Sequence, residues 1–299
     1  MYLDFFGFTE KPFDITPDTR FLYLSPEHEE VLGTLLYGIR ERRGFMVLTG
    51  EVGTGKTTTV RALLNRLDNN THTALIINPL LSTLDILKAI NKDFGIKPAQ
   101  GAHSLHDYIE DLNQFLLKNA DQGRNAVVII DEAQDLSLEA LEMLRLLSNL
   151  ETQTHKLLQL LLVGQPELET KLEQDCLRQL RQRIQIRQSL HPLNADQTRK
   201  YILFRINHVT QTNRLVIQPK ALDKIHQFSG GVPRLINTLA DLTLMAAFAQ
   251  STHVITQRLV ALAAHEVWDK SWSRSYIPFW ERLIWKNHKT GTHKHVITS

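Results

Sequence analysis

One short segment constrains the fold of this 299-residue chain more than any other. Just after the apolar run Phe45–Leu48 comes the octapeptide Gly50-Glu51-Val52-Gly53-Thr54-Gly55-Lys56-Thr57, and a helical pattern follows it through Leu64. The octapeptide matches GxxxxGK[ST] in the strand–loop–helix setting that a phosphate-binding loop requires. The segment therefore predicts a nucleoside triphosphate site built into an α/β fold.

Each part of this loop has an expected role at the phosphates. The glycines allow successive backbone N–H groups to turn toward the anion, and the dipole of the following helix faces it. Lys56 adds a positive charge near the β- and γ-phosphates, and the Thr57 hydroxyl can hold Mg²⁺. Nucleotide contacts are expected from Gly50, Glu51, Val52, Gly53, Thr54, Gly55, Lys56, Thr57 and Thr58.

A second buried strand ends in two carboxylates. The continuous apolar run Ala126–Ile130 is typical of a central parallel strand, and Asp131 and Glu132 follow it directly. Asp131 would emerge beside the phosphate loop, where it can hold Mg²⁺ through water. Glu132 is the candidate general base, because that group must stand off the metal and polarise the attacking water. Together with the loop, the pair favours hydrolysis over binding alone.

Two later positions extend the candidate site. The apolar run Leu157–Gly164 delivers Gln165 to the same sheet edge, where its amide would either orient the lytic water or bond a loop. Arg234 begins a helical pattern after the break at Gly230-Gly231. Its cation would either reach the γ-phosphate from a separate lid or remain solvated at the start of a helix.

Strand and helix patterns alternate through about residue 190, which predicts a parallel sheet with helices on both faces. Helical patterns alone follow, with no strand pattern before Ala264. We therefore predict a nucleotide-binding α/β domain over 1–192, a helical domain over 193–268 and a tail over 269–299. The predicted strands are Phe45 to Thr49, Thr73 to Asn78, Ala126 to Ile130, Leu158 to Val163 and Ile184 to Gln188.

Composition indicates a globular chain in a reducing compartment. The sequence is 42% hydrophobic and 22% charged, which suffices for a sizeable core, and it has a single cysteine, Cys176. It shows no secretory signal and no run of about 18 apolar residues, so we expect a cytoplasmic location without a membrane-spanning helix. The net charge of +2 neither requires nor excludes a nucleic-acid partner.

The motifs taken together resemble those of AAA+ ATPases. They are the phosphate loop, Ile-Ile-Asp-Glu-Ala-Gln ending at Gln134, Leu-Val-Gly-Gln-Pro-Glu-Leu ending at Leu168, and Gly-Gly-Val-Pro-Arg ending at Arg234. The opening segment Tyr2–Phe8, with Arg20–Ser25, further resembles the general secretion pathway protein A family, which includes ExeA-like ATPases and MSHA pilus biogenesis protein M. Within the family, the chain resembles the shorter pilus-biogenesis branch of MSHA pilus biogenesis protein M most. The resemblance covers roughly residues 1 to 268.

This resemblance implies a fold and a set of roles. The fold would be an AAA+ P-loop NTPase with a five-stranded parallel sheet and a C-terminal all-helical lid, binding ATP with Mg²⁺. Gln165 would be sensor 1 and Arg234 sensor 2. Phe13, Ile15 and Phe21 would wall the base pocket.

Hydrolysis in this class usually needs an arginine from a neighbouring subunit, which implies a ring or an open homo-oligomer. Four arginines crowd one segment, and the family position favours Arg183 over Arg178 or Arg181. Each of them taken singly would otherwise be a solvated helix cation.

Two functions remain open. The first is an ATPase that energises or organises assembly of a type IV-like (MSHA) pilus or secretion apparatus at the inner membrane, and the opening segment favours it. The second is a DNA-associated switch ATPase of the transposition-regulator type. The tail interleaves Trp272, Phe279, Trp280 and Trp285 with basic residues. It would either dock on a membrane or partner or cover the lid's own apolar face.

Overall fold

The computed structural model of the protein describes residues 2–14, 19–77, 82–97, 104–151, 156–212 and 214–270. The strands of its main sheet are β1 (Phe45–Gly50), β2 (Thr71–Ile76), β3 (Asn125–Ile130), β4 (Gln159–Gly164) and β5 (Ile184–Leu190). They run parallel in the order β2-β3-β4-β1-β5. The predicted five-stranded parallel sheet is confirmed, and the strand ends differ from the predicted ones by at most two residues.

The central strands are buried on both faces. In β3, Ala126, Val128 and Ile130 belong to one hydrophobic cluster. The intervening Val127 and Ile129 belong to another cluster. Because successive side chains of a strand point to opposite faces, this division means that helices cover the sheet on both sides. The continuous apolar runs in the sequence have this double burial as their cause.

The helices before the end of β5 are α1 (Tyr2–Phe6), α2 (Pro26–Arg40), α3 (Lys56–Arg66), α4 (Thr83–Asp93), α5 (Leu105–Asp121), α6 (Leu138–Leu147), α7 (Pro166–Leu172) and α8 (Arg178–Arg181). Apolar side chains of α2 and α3 pack on the face of Val127 and Ile129. Side chains of α4 to α8 pack on the opposite face. The phosphate-binding loop lies between β1 and α3, at the carboxyl edge of the sheet.

Local capping signals set where several of these helices begin. Ser25 caps α2 by accepting the His28 N–H at 3.3 Å, and Ser137 caps α6 in the same way. The sequence patterns did not indicate α5, although Ser104 forms a capping box there with Asp107. Helix α6 ends at Leu147, and Ser148 follows as its C-cap residue.

In the part of the C-terminal region that the structure describes, through residue 270, there are four helices: α9 (Ala195–Val209), α10 (Pro219–Ser229), α11 (Pro233–Ala249) and α12 (Gln257–Lys270). A capping box formed by Asn194 and Gln197 opens α9. We call this bundle the lid. Buried side chains from all four helices form one hydrophobic cluster, which is separate from the two clusters that flank the sheet.

The prediction that no strand precedes Ala264 is wrong. A two-stranded parallel sheet joins β6 (Val216–Ile217) to β7 (Val254–Ile255) between the lid helices. Strands of two residues are too short to show an alternating pattern, so the sequence gives no periodic signal for them. The fold remains a P-loop α/β domain followed by a mainly helical lid.

The opening segment packs into the lid rather than against the sheet. Phe6, Phe8, Phe13 and Phe21 belong to the same hydrophobic cluster as the lid helices. The Tyr2 hydroxyl donates to Asp241 Oδ1 of α11 at 2.7 Å. The domain boundaries at 192 and 268 stay predictions. The opening segment was assigned by sequence to the α/β domain, yet its aromatic side chains contribute to the hydrophobic core of the lid.

Candidate active site

The phosphate-binding loop has the backbone that its glycines permit. Gly53 and Gly55 have φ values of +84° and +104°, in the left-handed region that favours glycine. Helix α3 begins at Lys56, and no side chain caps its N-terminus. The unpaired N–H groups of that first turn, together with the helix dipole, form a site suited to an anion.

Lys56 is held at the centre of this loop. Its side chain is only 6% exposed, and Nζ donates to the carbonyl oxygens of Gly50 at 2.7 Å and Glu51 at 3.1 Å. Burial lowers the pKa of the Lys56 ammonium, and the carboxylates of Glu132 and Asp131 oppose that shift. The ammonium is therefore close to the acidic end of β3, as a phosphate-binding charge must be.

Thr57 and Asp131, the two residues expected to hold the metal, are in contact in the structure. The Thr57 hydroxyl donates to Asp131 Oδ2 at 2.8 Å. Burial raises the pKa of the Asp131 carboxyl, while hydrogen bonds from Thr57 and from the Glu132 N–H hold it down. A hydroxyl and a carboxylate are the hard oxygen ligands that Mg²⁺ accepts when waters and phosphates complete its octahedron. This donor pair fits the expected metal.

Glu132 lies next to that pair, in an uncommon conformation. Its φ and ψ are 52° and 38°, the left-handed region that non-glycine residues rarely adopt. Its Oε2 accepts from Gln165 Nε2 at 3.2 Å and from Gln134 Nε2 at 2.8 Å. The structure thus brings Glu132 and Gln165 together from the ends of β3 and β4. Gln134 was not singled out from the sequence, although it lies in the same acidic motif.

Arg234 approaches the loop from the lid. Pro233 and Arg234 start α11, and the Arg234 N–H donates to the Gly53 carbonyl oxygen at 3.4 Å. The same contact places the beginning of α11 over the phosphate-binding loop. The predicted lid arginine is therefore at the site, directly against the main chain of the loop.

A cavity of about 320 Å³ lies between the sheet domain and the lid, within the size range of small-molecule sites. Its lining includes the loop from Val52 to Thr58, Glu132 and Arg234, and on the lid side Tyr201 and Asn237. Of the residues expected to wall the base pocket, one lies at the cavity, and its contact with a base stays a prediction. Phe21 lines the cavity, whereas Phe13 lies inside the lid cluster and not at the cavity wall. Ile15 lies outside the described residues.

The imidazole of His28 contacts the main chain of the phosphate-binding loop. The sequence motifs did not indicate this residue. Its Nε2 lies 3.1 Å from the Thr54 carbonyl oxygen, and its Nδ1 lies 2.7 Å from Ser25 Oγ. Because a carbonyl can only accept, Nε2 carries the proton and Nδ1 accepts from the serine hydroxyl. Burial lowers the pKa of the His28 imidazole. A neutral histidine thus joins the start of α2 to the phosphate-binding loop.

Arg205 joins the opening segment to the lid beside the cavity. It is 6% exposed and donates to the carbonyl oxygens of Pro12 at 2.6 Å and Asp14 at 3.1 Å. It also donates to the Tyr201 hydroxyl at 2.9 Å, and its guanidinium lies 4.9 Å from the centre of the Phe21 ring. No periodic pattern marks this residue, because its partners in the opening segment are distant in sequence.

The arginine cluster lies away from this cavity. Arg183 directly precedes β5, at the amino edge of the sheet, and its Nη1 donates to Ser148 Oγ at 3.0 Å. Arg181 donates to the Glu173 carbonyl oxygen at 3.2 Å. The carboxyl edge of the same sheet carries the phosphate-binding loop. Arg183 therefore does not join the site of its own chain, and a role across a subunit interface stays a prediction.

In the part of the chain that the structure describes, no helix is both long and apolar enough to cross a membrane. The aromatic and basic tail positions Trp272, Phe279, Trp280 and Trp285 lie outside the described residues.

The parallel sheet, the phosphate-binding loop and the acidic end of β3 define a P-loop ATPase of the AAA+ class. In agreement, a family model described as AAA domain matches residues 39–172. General secretion pathway protein A of Aeromonas hydrophila is 47% identical to the chain over 270 residues. The chain belongs to the general secretion pathway protein A family. The match covers 89% of this chain and 48% of that protein, so the chain spans about half of its relative's length.

Solved structures share the fold at low sequence identity. The Aeropyrum pernix ORC2 protein, described in ADPNP-ADP complexes, has a TM-score of 0.65 at 19% identity, with coverage of 95% of this chain and 80% of that one. Cdc6p of Pyrobaculum aerophilum has a TM-score of 0.66 at 20% identity and covers 89% and 73%. The Thermotoga maritima RuvB Holliday junction branch migration motor has a TM-score of 0.56 at 19% identity and covers 88% and 76%. At this identity, the likeness concerns the fold alone.

Proposed function

We propose that the chain binds ATP with Mg²⁺ in the described cavity and hydrolyses it to ADP and phosphate. The observation that carries this proposal is the meeting of three elements at one edge of the sheet: the phosphate-binding loop, the Thr57–Asp131 pair and the Glu132 carboxylate. The phosphate-binding loop and the metal ligands would by themselves be enough to bind a nucleotide. A carboxylate that stands beside the metal ligands, yet bonds neither of their side chains, serves hydrolysis.

Each residue of the site has a part in this proposal. The loop amides and Lys56 hold the phosphates, and Thr57 and Asp131 hold the cation. Bound Mg²⁺ would neutralise charge that develops on the phosphates. Glu132 accepts a proton from the attacking water, and Gln165 orients that water.

Arg234 is placed to act from the lid. Its main-chain N–H donates to the Gly53 carbonyl oxygen, and Arg234 lines the cavity in which the phosphates would bind. Closing the lid would then bring this positive charge to the charge that builds up during hydrolysis.

The cellular role that we propose is to energise or organise assembly of a type IV-like pilus, of the MSHA kind, or of a secretion apparatus at the cytoplasmic face of the inner membrane. Membership of the general secretion pathway protein A family supports it, and so does the opening segment. We propose that the chain works as a ring or open homo-oligomer. This oligomer would be cytoplasmic and would associate with the inner membrane as a peripheral protein.

A DNA-associated switch ATPase is the alternative. The fold likeness to ORC, Cdc6 and RuvB proteins is compatible with it. That likeness lies at 20% identity or below in the three structures compared, so it carries no information on ligands. Stimulation of turnover by double-stranded DNA, measured at several salt concentrations, would favour this alternative over the pilus or secretion role.

The hydrolysis proposal is tested with two variants. Lys56→Ala removes a ground-state phosphate contact and should abolish ATP binding. Glu132→Gln should leave ATP affinity near wild type and lower kcat by about 10²–10⁴-fold, the usual contribution of a general base. Equilibrium binding of a fluorescent ATP analogue and steady-state phosphate release measure the two effects. Wild-type turnover by Glu132→Gln would refute the assignment of the base.

A further inference from the structure

The contacts of Glu132 point to one more residue in the proposed reaction. Its Oε2 accepts hydrogen bonds from two side-chain amides, those of Gln134 at 2.8 Å and Gln165 at 3.2 Å. Among the residues that the structure describes, none forms a hydrogen bond with the other oxygen, Oε1. Both donors bond the same carboxylate oxygen, which leaves the second oxygen without a described donor on a residue that lines the cavity.

The orientation of the Gln134 amide follows from its neighbours. The main-chain N–H of Gln165 can only donate, so the side-chain atom 3.0 Å from it is the Gln134 carbonyl oxygen. The NH₂ group of Gln134 must then donate to the carboxylates, to Glu132 Oε2 at 2.8 Å and more weakly to Asp135 Oδ2 at 3.4 Å. One side chain therefore connects the carboxylate after β3 to the main chain after β4.

The surroundings hold Gln134 in this place. Lys171 Nζ donates to the main-chain carbonyls of Gln134 and Leu136, the latter at 2.8 Å. A Cβ at Gly164 would come within 2.9 Å of Gln134 Oε1, so the amide reaches β4 only because position 164 carries no side chain. These contacts clamp the turn that follows Glu132.

We propose that Gln134 is a positioning residue for ATP hydrolysis. It holds Oε2 of Glu132 so that Oε1 addresses the attacking water, and its carbonyl oxygen fixes the main chain from which Gln165 projects. This inference rests on the proposed function and adds a residue to it. Gln134 acts through Glu132 and Gln165 and does not itself touch the reacting atoms.

Two substitutions separate the donor from the acceptor of this amide. Gln134→Leu removes both, whereas Gln134→Glu keeps the acceptor for the Gln165 N–H and replaces the donor with a carboxylate oxygen that repels Glu132. Both variants should lower kcat on the order of 10²-fold, as expected when a general base is misplaced. The Kd for a fluorescent ATP analogue and the unfolding midpoint should stay near wild type. Gln114→Leu, an exposed amide on α5, is the matched control and should change none of these values.

Two outcomes would overturn the inference. Near-normal turnover by Gln134→Glu would mean that the hydrogen bond to Glu132 has no part in the reaction. Parallel losses of ATP affinity, turnover and unfolding midpoint in both variants would mean that Gln134 only supports the fold. The proposed function fails separately: if Glu132→Gln hydrolyses ATP at the wild-type rate, the base is wrong. If Glu132→Gln is inactive and Gln134→Leu is normal, only the positioning role is wrong.

Discussion

Arg234 rests directly on Gly53 of the phosphate-binding loop. A Cβ added to Gly53 would lie 2.8 Å from the Cβ of Arg234, closer than real Cβ atoms approach. The first turn of α11 can therefore lie against the loop only because position 53 carries no side chain. The lid and the phosphate site are in contact at this point through main-chain atoms.

The first prediction follows from this contact. Gly53→Ala should push the start of α11 off the loop and strain a backbone with a φ of +84°, at a cost of roughly 1–3 kcal/mol. If this cost destabilises the ATP-bound conformation, in which α11 contacts the loop, ATP affinity drops by about 10-fold or more. Titration of a fluorescent ATP analogue measures the change.

Gly33→Ala on α2 provides the matched control. A Cβ there would meet nothing within 4 Å, and alanine favours a helix by up to about 1 kcal/mol over glycine. This variant should bind ATP normally and unfold at the same or a higher temperature. Unchanged ATP affinity in Gly53→Ala would show that ATP binding does not depend on the contact between the start of α11 and Gly53.

The second prediction concerns catalysis across a subunit interface. Arg183→Ala should bind ATP but lose turnover, because an arginine supplied by a neighbour is typically worth ~10³–10⁵ in rate. Mixing it with Lys56→Ala should partly restore hydrolysis, since an intact loop then receives an intact arginine from the neighbouring subunit. Phosphate release from mixtures at varied ratios, with light scattering in ATP and Mg²⁺, measures both activity and assembly.

Ser148→Ala is the control for this experiment. It removes the hydrogen bond that Arg183 makes within its own chain and should leave turnover near wild type. A particle that stays monomeric with ATP present, with turnover per subunit independent of concentration, would contradict a trans role for Arg183.

The third prediction is a pH dependence centred on His28. Because burial lowers its pKa in the folded chain, the folded state prefers the neutral imidazole, while the unfolded chain takes up a proton near pH 6.5. The contribution of His28 to stability is therefore complete above about pH 6.5 and is lost as the pH falls toward the folded-state pKa. The carboxylates of Glu27 and Glu29 reduce this effect and do not reverse it.

His28→Gln keeps a donor near the Thr54 carbonyl without titrating. The free energy of unfolding of wild type should fall more steeply than that of His28→Gln between pH 7.5 and pH 5.5, as measured by urea denaturation. Parallel curves for the two proteins would mean that His28 titrates normally and does not support the loop as a neutral group.

The fourth prediction concerns the tail that begins at residue 269. Its aromatic rings suit a membrane interface, and each Lys or Arg near anionic lipid contributes about 1 kcal/mol. Removal of residues 271–299 leaves α12 complete, so ATP turnover should stay near wild type while co-sedimentation with anionic vesicles is lost. Vesicles of neutral lipid serve as the control. Loss of folding or of turnover in the shortened chain would instead place the aromatic residues in the core of the lid.

Much of the site could be predicted because its motifs are contiguous. The loop around Lys56 and the end of β3 at Asp131 each combine a buried strand with polar residues at fixed spacing. Since parallel strands present their carboxyl ends at one edge, these motifs must meet. Gln165 reached the same edge for the same reason.

The contacts missed from the sequence join segments that no short pattern relates. His28 meets a carbonyl of the loop that follows the next strand, and Arg205 meets carbonyls that lie more than 190 residues earlier. Gln134 lies within the acidic motif, but the sequence does not show which groups its side-chain amide bonds. Such contacts depend on how whole elements pack, and sequence periodicity reports only which face of each element is buried.

The packing of Tyr2 against Asp241 sets an order of events during synthesis. These residues are separated by 239 positions, so α11 must leave the ribosome before Tyr2 can form its native contact. The strands and helices between residues 26 and 190 emerge much earlier and can form their own core. In the meantime, the phenylalanines at the start of the chain remain without the surface that buries them. The opening segment is thus translated before α11, yet it is among the last parts of the described fold to reach its native contacts.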